Sequence, residues 1–274
     1  MTTTLRPVEP LRQHPDGTRA RRYQVCVNSR PVGELHLTTS PAHGTSVARV
    51  QELWIAEADR RRGRGTVAAL AAEEVARGWG CAAVETAVPA TADAALRLFA
   101  ALGYTPRNRH MEKRLGTTPP ELPPGSRARP MTEAEYAAWY ARESERYTRS
   151  WIERGVPELA ARAKAAEDHA RLLPDGLGTA RMLFSVVEHE DVPVGTLWLA
   201  LEAERAYVYD VETHAAHRGR GHGRALMLAA ERQATEAGLP VLGLNVSAGN
   251  TPAERLYTSL GYRTTTHFLA KPLL

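Results

Sequence analysis

The chain has 274 residues, of which 43% are hydrophobic and 24% charged, and its formal net charge is +4. This composition has room for one large domain or two of ordinary size, and it argues against intrinsic disorder. No run of about 18 apolar residues is present, and the start of the chain does not resemble a signal peptide. The two cysteines form no CxxC pair and the arginines alternate with acidic residues, so we expect a cytoplasmic protein without membrane or nucleic-acid partners.

The first predicted elements are two strands followed by a basic loop. The β-rich segments Arg21–Val27 and Pro31–Leu35 predict adjacent strands. The segment Arg60–Gly65 has the sequence Arg-Arg-Arg-Gly-Arg-Gly, which is dense in positive charge and glycine. Asp93 is a candidate N-cap of a later helix, because aspartate side chains accept hydrogen bonds from free helix N–H groups.

A proline-rich segment separates two halves of the chain. Gly116–Ser126 contains four prolines and two glycines and has few side chains to bury. Such a composition is typical of an extended linker. We therefore predict an N-terminal domain at 1–117, a linker at 118–125 and a C-terminal domain at 126–274.

The second half begins with a long segment of helical composition. Thr132–Leu173 is rich in Ala, Glu, Arg and aromatic residues, and Gly155–Pro157 predicts a break within it. We expect this segment to pack on the following domain as a wall of a substrate site. An arm that binds a partner protein is the alternative.

The remainder of the second half alternates strands and helices. Strands are predicted at 181–187, 193–201, 206–213, 241–246 and 263–269. A helix is predicted at 223–237, ended by Gly238, and a second helix is predicted to begin with Thr251 as its N-cap.

The two halves share a repeat with a single offset. Arg218–Gly223 has the sequence Arg-Gly-Arg-Gly-His-Gly and follows Arg60–Gly65 by 158 positions. Leu260–Tyr262 repeats the Leu-Gly-Tyr of Leu102–Tyr104 at the same offset of 158 positions. Two landmarks with one offset and no net gap predict a duplicated structural unit.

The basic loop of the second half has the features of an anion site. A strand precedes it and a helix follows it, so its backbone N–H groups and the positive helix end would converge on phosphate oxygens. The pattern contains no Gly-Lys-Ser/Thr and no GxGxxG, so it is neither a P-loop nor a dinucleotide loop. The residues predicted to hold the anion are Arg218, Gly219, Arg220, Gly221, His222, Gly223 and Arg224.

The spacing Arg-x-x-Gly-x-Gly after a strand resembles the acyl-CoA pyrophosphate loop of the GNAT superfamily of N-acyltransferases. Asn250–Tyr262, with the sequence Asn-Thr-Pro-Ala-Glu-Arg-Leu-Tyr-Thr-Ser-Leu-Gly-Tyr, is similar to a second motif of that family. Arg181–Leu274 thus resembles a complete GNAT core, and the first half resembles a degenerate copy. The resemblance implies an α/β (α+β) fold of two GNAT-like domains in tandem, each a mixed, mostly antiparallel sheet flanked by helices.

The same resemblance implies an N-acetyltransferase with acetyl-CoA as its co-substrate and an amine of a small molecule or peptide as its acceptor. By this likeness the backbone N–H of Val211 polarises the thioester carbonyl, and Thr213 bonds the pantetheine arm. Asn250 binds near the pantetheine, and Tyr257 protonates the departing thiolate.

The chemistry also needs a group that takes a proton from the amine. A lysine-like amine with a pKa of about 10.4 is only about one part in 10³ neutral at pH 7, so a base helps. Strict alternation along a strand would place Val208, Asp210 and Glu212 on one face, which makes the two acids candidate bases. No Cys or Ser is set beside a His as a nucleophile, so we expect direct attack in a ternary complex.

Histidines crowd the same region without predicting a metal site. His214, His217 and His222 lie within nine residues, but no cysteine or carboxylate is in register with them to complete a ligand set. We predict no metal and assign His222 to a phosphate contact.

The first half lacks the polar residues of the second motif. Ala92, Phe99 and Trp54 stand where the second half has its asparagine, tyrosine and glutamate, and none of these replacements can do the same chemistry. We predict that this half is catalytically silent. Two other functions stay open for the chain, an acyl-CoA-binding or sensing module without turnover and a transferase of longer acyl groups, as does a homodimer.

Overall fold

The computed structural model describes residues 2–40, 47–153 and 155–273. The strands are β1 (Thr3–Pro7), β2 (Arg12–Gln13), β3 (Arg19–Val27), β4 (Arg30–Ser40), β5 (Val47–Ile55), β6 (Ala83–Pro89), β7 (Thr105–Arg114), β8 (Ser126–Pro130), β9 (Met182–His189), β10 (Val192–Leu201), β11 (Ala206–Thr213), β12 (Val241–Ser247) and β13 (Arg263–Pro272). The helices are α1 (Arg64–Gly78), α2 (Asp93–Ala101), α3 (Glu133–Ile152), α4 (Glu158–Leu172), α5 (His222–Glu236) and α6 (Thr251–Ser259). Each strand and helix predicted from the sequence is present, with ends that differ by a few residues. Within these described residues, no helix is both long and apolar enough to cross a membrane.

The chain forms two compact units. Unit 1 comprises Met1–Asn108, Trp151–Ala160 and Thr266–Leu274, and unit 2 comprises Arg109–Ser150 and Ala161–Thr265. These units differ from a simple cut at the predicted linker 118–125, because most of the last strand of each half belongs to the other half's unit. As boundaries of folding domains, 1–117 and 126–274 stay a prediction.

Unit 1 is a mostly antiparallel sheet with two helices. Strands β3, β4 and β5 are antiparallel neighbours, β5 pairs parallel with β6, and β13 closes the far side antiparallel to β6. Helix α1 buries a stripe of alanines that includes Ala68, Ala72 and Ala76. Alanine side chains are short, so the helix lies close to the sheet, where its stripe shares one core with Leu37 and Leu269.

Unit 2 repeats this plan. Strands β8 to β11 are successive antiparallel neighbours, and β11 pairs parallel with β12. The predicted turn between β9 and β10 is present, with positive φ at Glu190 and Asp191. Helix α5 buries Leu226 and Ala230 against a core that contains Leu197. The mixed, mostly antiparallel sheet flanked by helices that we expected for each half is therefore confirmed.

The helical segment of unit 2 packs on its own sheet. The Trp139 side chain of α3 is 1% exposed, and its ring lies 5.1 Å from that of Phe184 and 5.5 Å from that of Trp198. Tyr140 of the same helix contacts His169 of α4, with 5.1 Å between the ring centroids. These contacts fix α3 against β9 and β10.

Strand β11 contains a β-bulge at Tyr209. Trp198 pairs with Asp210 but Leu199 pairs with Val208, so Tyr209 is an extra residue on its strand. The strict alternation predicted for this strand is therefore wrong. Val208 packs in the core with α5, whereas Asp210 bonds to α3 on the opposite side of the strand.

The bulge also opens the sheet. The parallel register of β11 with β12, as far as the structure describes it, covers Ala206–Val208 and Leu242–Leu244, and it ends where the bulge begins. The carboxyl-terminal part of β11 thus diverges from its neighbour and leaves a gap. Unit 1 has the same irregularity in β5 at Gln51, which precedes Tyr209 by 158 positions.

Both predicted helix caps lie one residue too late. Helix α6 is capped by Asn250, whose side chain accepts a hydrogen bond from the Ala253 N–H at 3.3 Å, and Thr251 is already helical. Helix α2 begins at Asp93 after Ala92, which makes no side-chain cap bond. The pattern Thr-Pro favoured Thr251 in the sequence, but the asparagine before it has the better cap geometry.

Candidate active site

A cavity of about 780 Å³ lies in unit 2 at the gap left by the bulge, bordered by β11, α5 and α6. It brings together most of the residues that the sequence predicted for the site. These are Val211, Glu212, Thr213, Arg218, Gly219, Gly221, His222, Gly223, Asn250 and Tyr257. Arg146 of α3 and Leu256 of α6 also line the cavity, and the sequence did not indicate either of them.

The glycine loop meets the cavity at the start of α5. Gly219 and Gly221 have φ values of +76° and +88°, a left-handed conformation that glycine adopts without cost. A Cβ at Gly221 would have no neighbour within 4 Å, so the loop backbone is open at that point. The first N–H groups of a helix have no intrahelical partner, which makes this end of α5 suitable for an anion.

Arg218 joins the loop to the end of the preceding strand. Its Nε donates to the Thr213 carbonyl at 3.2 Å, and its guanidinium lies 3.9 Å from the Glu212 carboxylate. In unit 1, Arg60 donates to the Ile55 carbonyl at 2.8 Å, which is the same contact 158 positions earlier. The side chain of Arg218 therefore stabilises the loop, while the residue still lines the cavity.

Two of the predicted arginines lie outside the cavity lining. Arg220 borders a separate recess of about 390 Å³. Arg224 of α5 donates to the Ser259 hydroxyl of α6 at 2.8 Å. Their assignment to an anion stays a prediction.

Three histidines gather at the outer edge of the loop. The His222 ring lies 5.1 Å from that of His189 and 6.0 Å from that of His217. Burial, together with the positive charge of these neighbours, lowers the pKa of His222 below its usual value. His214 points away and contacts the Pro193 carbonyl at 3.2 Å. In the part of the chain that the structure describes, no group of three or more His, Cys, Asp or Glu residues is arranged to hold a metal.

Asn250 serves the fold and faces the cavity at once. Its side-chain oxygen is engaged as the N-cap of α6. Its amide NH₂ is a donor that the cap does not use, so both roles weighed for this residue are compatible.

Tyr257 lies in the second turn of α6 and is 6% exposed. Burial and the nearby negative charge of Asp210 raise the pKa of Tyr257 to about 12. The phenol is therefore protonated at neutral pH and is able to donate a proton or a hydrogen bond. Phe99 borders the corresponding cavity of unit 1 and has no such group.

The two acids predicted on β11 have different surroundings. Asp210 is buried and does not line the cavity. One of its carboxylate oxygens accepts from Trp139 Nε1 at 3.0 Å and the other from Arg146 at 2.6 Å. Glu212 is partly exposed and borders both the main cavity and a second one of about 520 Å³ alongside α3. Only Glu212 is in a position to meet a molecule in the cavity directly.

A third acid belongs to this group and was missed in the sequence. Glu143 of α3 forms an ion pair with Arg146, which in turn bonds Asp210. Burial is the main cause that raises the pKa of Glu143 to about 7; the charges of Asp210 and Glu212 act in the same direction, and Arg146 opposes them. Trp139, Glu143 and Arg146 follow one helix face at spacings of four and three, but the sequence did not indicate which strand they would meet.

Unit 1 has a smaller counterpart of the cavity, of about 460 Å³. Its loop contains an acid, Asp59, that is 3% exposed. This carboxylate forms ion pairs with Arg64 and with Arg30, the latter at 2.9 Å. Arg64 of the loop and Arg30 of β4 are thus already engaged by this carboxylate. The position in unit 2 that corresponds to Asp59 is His217.

Comparison with known proteins agrees with this architecture. Residues 3–104 and 135–262 each match the Acetyltransferase (GNAT) family. The uncharacterized N-acetyltransferase YycN of Bacillus subtilis is 29% identical over 151 residues, which are 53% of this chain and 96% of YycN.

Two solved structures share the fold over most of the chain. A GCN5-related N-acetyltransferase from Sphaerobacter thermophilus aligns with a TM-score of 0.59 at 21% identity, covering 92% of this chain and 80% of the other. A tandem GNAT protein from the clavulanic acid biosynthesis pathway aligns with a TM-score of 0.52 at 20% identity, covering 96% and 85%.

This chain belongs to the GNAT acetyltransferase family, and it contains two GNAT segments in tandem. The family resemblance drawn from the two sequence motifs is thereby confirmed. Family and fold together make the chain an acyltransferase of the GNAT type. The predicted cytoplasmic location and the homodimer stay predictions.

Proposed function

We propose that this protein is an N-acetyltransferase that moves the acetyl group of acetyl-CoA to an amine of a small molecule or peptide, by direct attack in a ternary complex. The observation that carries the proposal is the cavity of unit 2. It combines a diverging strand, a glycine loop at a helix N-terminus and a protonated tyrosine in one place.

The residues present fit acetyl-CoA. The start of α5 and Arg218 would hold the pyrophosphate, because helix N–H groups and a guanidinium both suit a polyanion. The unpaired edge of β11 at Val211 and Thr213 and the free amide of Asn250 would bond the pantetheine arm and the carbonyl. When bound, acetyl-CoA supplies an activated acetyl group and a thiolate leaving group.

The remaining residues would handle protons. Tyr257 is the donor for the leaving thiolate, since its phenol keeps its proton at neutral pH. A carboxylate of the acidic group on β11 and α3 would take a proton from the amine. Asp210 holds Trp139 and Arg146 with both oxygens, so within β11 Glu212 is the better placed acid.

A matched pair of glycine substitutions tests the cofactor site. Gly221→Asp would place a carboxylate against the pyrophosphate, and like charges about 4 Å apart repel by about 1–4 kcal/mol at effective dielectric constants of water and protein surface. We therefore expect acetyl-CoA affinity, measured by calorimetry on the full-length protein, to fall by at least about tenfold. Gly63→Asp is the control, because Gly63 has the same left-handed backbone and likewise no neighbour within 4 Å of a Cβ.

The two variants separate the possible outcomes. Equal affinity of Gly221→Asp and the wild type would remove the loop of unit 2 from the cofactor site. A loss in Gly63→Asp without a loss in Gly221→Asp would instead place cofactor in unit 1, and an equal loss in both variants would place cofactor in both units. Release of free CoA thiol with an amine panel then tests turnover, and tight binding without release would favour a sensing module over an enzyme.

A further inference from the structure

The second cavity of unit 2, of about 520 Å³, has no part in holding acetyl-CoA as proposed above. It lies between α3 and the sheet and is bordered by residues of α3, β9, β10 and β11. Glu212 lines both this cavity and the main one, so the two adjoin at the end of β11. A molecule in the second cavity would therefore lie next to the bound thioester.

The floor of the second cavity is a row of side chains across three strands. Thr196 of β10 pairs with Val186 of β9 on one side and with Glu212 of β11 on the other, and all three line the cavity. Thr196 is 4% exposed, and its Oγ1 has no hydrogen-bond partner within the part of the chain that the structure describes. A buried hydroxyl without a partner is costly, so this floor suits a polar ligand better than an apolar one.

The wall of the second cavity is one face of α3. Glu135, Ala138 and Arg142 line it at spacings of three and four, and Arg146, four residues further along, lines the main cavity. A helix rises 1.5 Å per residue, so Arg142 and Arg146 lie about 6 Å apart along its axis. The helix thus extends along both cavities, with one turn between their two arginines.

Arg142 differs from the other arginines of α3 in its partners. Arg146 pairs with Asp210 at 2.6 Å, and Arg149 lies 3.9 Å from Glu145. Arg142 forms no hydrogen bond or ion pair with any other residue that the structure describes. Its guanidinium is therefore available to an anion in the cavity that it lines.

The acid on the same wall does not compete for Arg142. Glu135 accepts hydrogen bonds from Arg129 at 2.7 and 2.8 Å, and these bonds lower the pKa of Glu135 to about 2. The Glu212 carboxylate on the floor lies 3.9 Å from Arg218 at the edge of the main cavity. One positive charge, that of Arg142, is thus left in the second cavity without a carboxylate of this chain beside it.

We propose that the second cavity binds the acceptor, and that the acceptor is an amino acid whose carboxylate is held by Arg142. This inference rests on the proposed acetyl transfer. A guanidinium forms two parallel hydrogen bonds with a carboxylate, and the single charge of a carboxylate matches one unpaired arginine. With its carboxylate at Arg142, an amino acid directs its amine toward Glu212 and the main cavity, about one helix turn away.

Matched pairs of acceptors test this inference on the full-length protein. Leucine, phenylalanine, glutamate and lysine would each be compared with the corresponding α-amide, which keeps the side chain and lacks the negative charge of the α-carboxylate. Arg142→Gln should lower kcat/KM for the acids by about 10–100-fold, mainly through KM, because a charge-assisted hydrogen bond to the bound acceptor is lost. The same variant should leave kcat/KM for the amides within about twofold of wild type.

The measured quantity is the ratio of kcat/KM for each acid to that for its amide. Comparing this ratio between wild type and Arg142→Gln cancels the different reactivities of the two amines, as in a double-mutant cycle. Arg149→Gln is the matched control, because Arg149 is on the same helix, its side chain is 68% exposed, and it lines neither cavity. We expect the control to keep the wild-type ratio, and both variants to keep the wild-type affinity for acetyl-CoA and the wild-type Tm.

The outcomes distinguish this inference from the proposed function. Absence of thiol release by the wild type with every amine would contradict the acetyl transfer itself. Turnover of other amines but of none of the amino acids, or an equal acid-to-amide ratio in wild type and Arg142→Gln, would overturn the inference and leave acetyl transfer intact. Calorimetry with the same amino acids, and with CoA in place of acetyl-CoA, measures acceptor binding without transfer. Binding that is at least about tenfold weaker in Arg142→Gln than in Arg149→Gln would support the site independently of turnover.

Discussion

At the scale of single residues, the site depends on protonation states that the fold imposes. Tyr257 has an ordinary phenol in the unfolded chain, but burial and the charge of Asp210 keep it protonated well above neutral pH in the folded protein. The hydroxyl is thus a proton donor placed at the cavity. The same position in unit 1 is Phe99, so the repeat shows that the fold itself does not need the hydroxyl.

Tyr257→Phe should therefore lower kcat rather than stability. We expect a loss of about 10²-fold in kcat with acetyl-CoA affinity within about twofold of wild type, since the group acts on the leaving thiolate. Steady-state kinetics combined with calorimetry would measure both. Tyr209→Phe is the control, because Tyr209 is at the bulge and 39% exposed but does not line the cavity. Full activity of Tyr257→Phe would exclude the tyrosine as the proton donor.

The positions of residues were predictable from the sequence where a motif carries them, and their roles stay predictions. The loop glycines lie between a strand and a helix that their own motif predicts. Tyr257 lies on the next helix, which the second motif predicts. Asp210 lies on β11 beside the cavity, but the sequence did not indicate its partners, since Trp139 and Arg146 come from a helix about 70 positions earlier. Glu143 was missed for the same reason, because a helix face does not reveal which strand it will meet.

At the scale of elements, a buried hydrogen bond joins α3 and β11 beside the ion pair of Arg146 with Asp210. Trp139 Nε1 donates to Asp210 at 3.0 Å, and the indole is surrounded by Phe184 and Trp198. The bond fixes the position of α3 relative to the strand and therefore the position of Glu143. The bulge at Tyr209 turns Asp210 toward the helix, and the alternating sequence pattern gave no sign of it.

Trp139→Phe tests this junction. Phenylalanine keeps an aromatic ring in the core but leaves one oxygen of buried Asp210 without its donor, which should cost about 2 kcal/mol. Thermal unfolding should show a lower Tm, and the pH profile of kcat/KM should shift as the cluster around Arg146 loosens. Trp54→Phe in unit 1 is the matched change at a 49% exposed side chain, where we expect less than about 0.5 kcal/mol. Equal stabilities of the two variants would mean that the indole bond does not hold α3.

At the scale of the whole molecule, the duplication extends to buried charges. Lys113 in β7 bonds Glu231 in α5 at 2.7 Å within unit 2. Lys271 in β13 bonds Glu73 in α1 at 2.7 Å within unit 1. Both lysines and both glutamates are 158 positions apart, yet each pair joins a strand of one half to a helix of the other. The sequence showed the repeat, but its linear order could not show that the last strands are exchanged between the units.

These two lysine–glutamate pairs lead to a prediction about the stability of each unit. Lys271→Met would remove the nearer cation of the Glu73 side chain, which is 2% exposed, and leave Arg77 at 4.0 Å. Removing one member of a buried ion pair leaves the other charge poorly compensated, so we expect a loss of about 3 kcal/mol in the free energy of unfolding of unit 1. Urea unfolding and acetyl-CoA binding would both be measured on the full-length protein. The comparison would distinguish unfolding of unit 1 from unfolding of unit 2, because the proposed cofactor site lies in unit 2.

Two further variants test this prediction by comparison with Lys271→Met. Lys113→Met should destabilise unit 2 by a similar amount and weaken acetyl-CoA binding, while Lys271→Met should leave that binding nearly intact. The double variant Lys271→Met/Glu73→Met should recover most of the lost stability, since a buried pair replaced by apolar side chains leaves no stranded charge. Unchanged unfolding in both single lysine variants would show that the exchanged strands do not contribute through these pairs. A loss of acetyl-CoA binding in Lys271→Met equal to that in Lys113→Met would show that the units do not unfold separately.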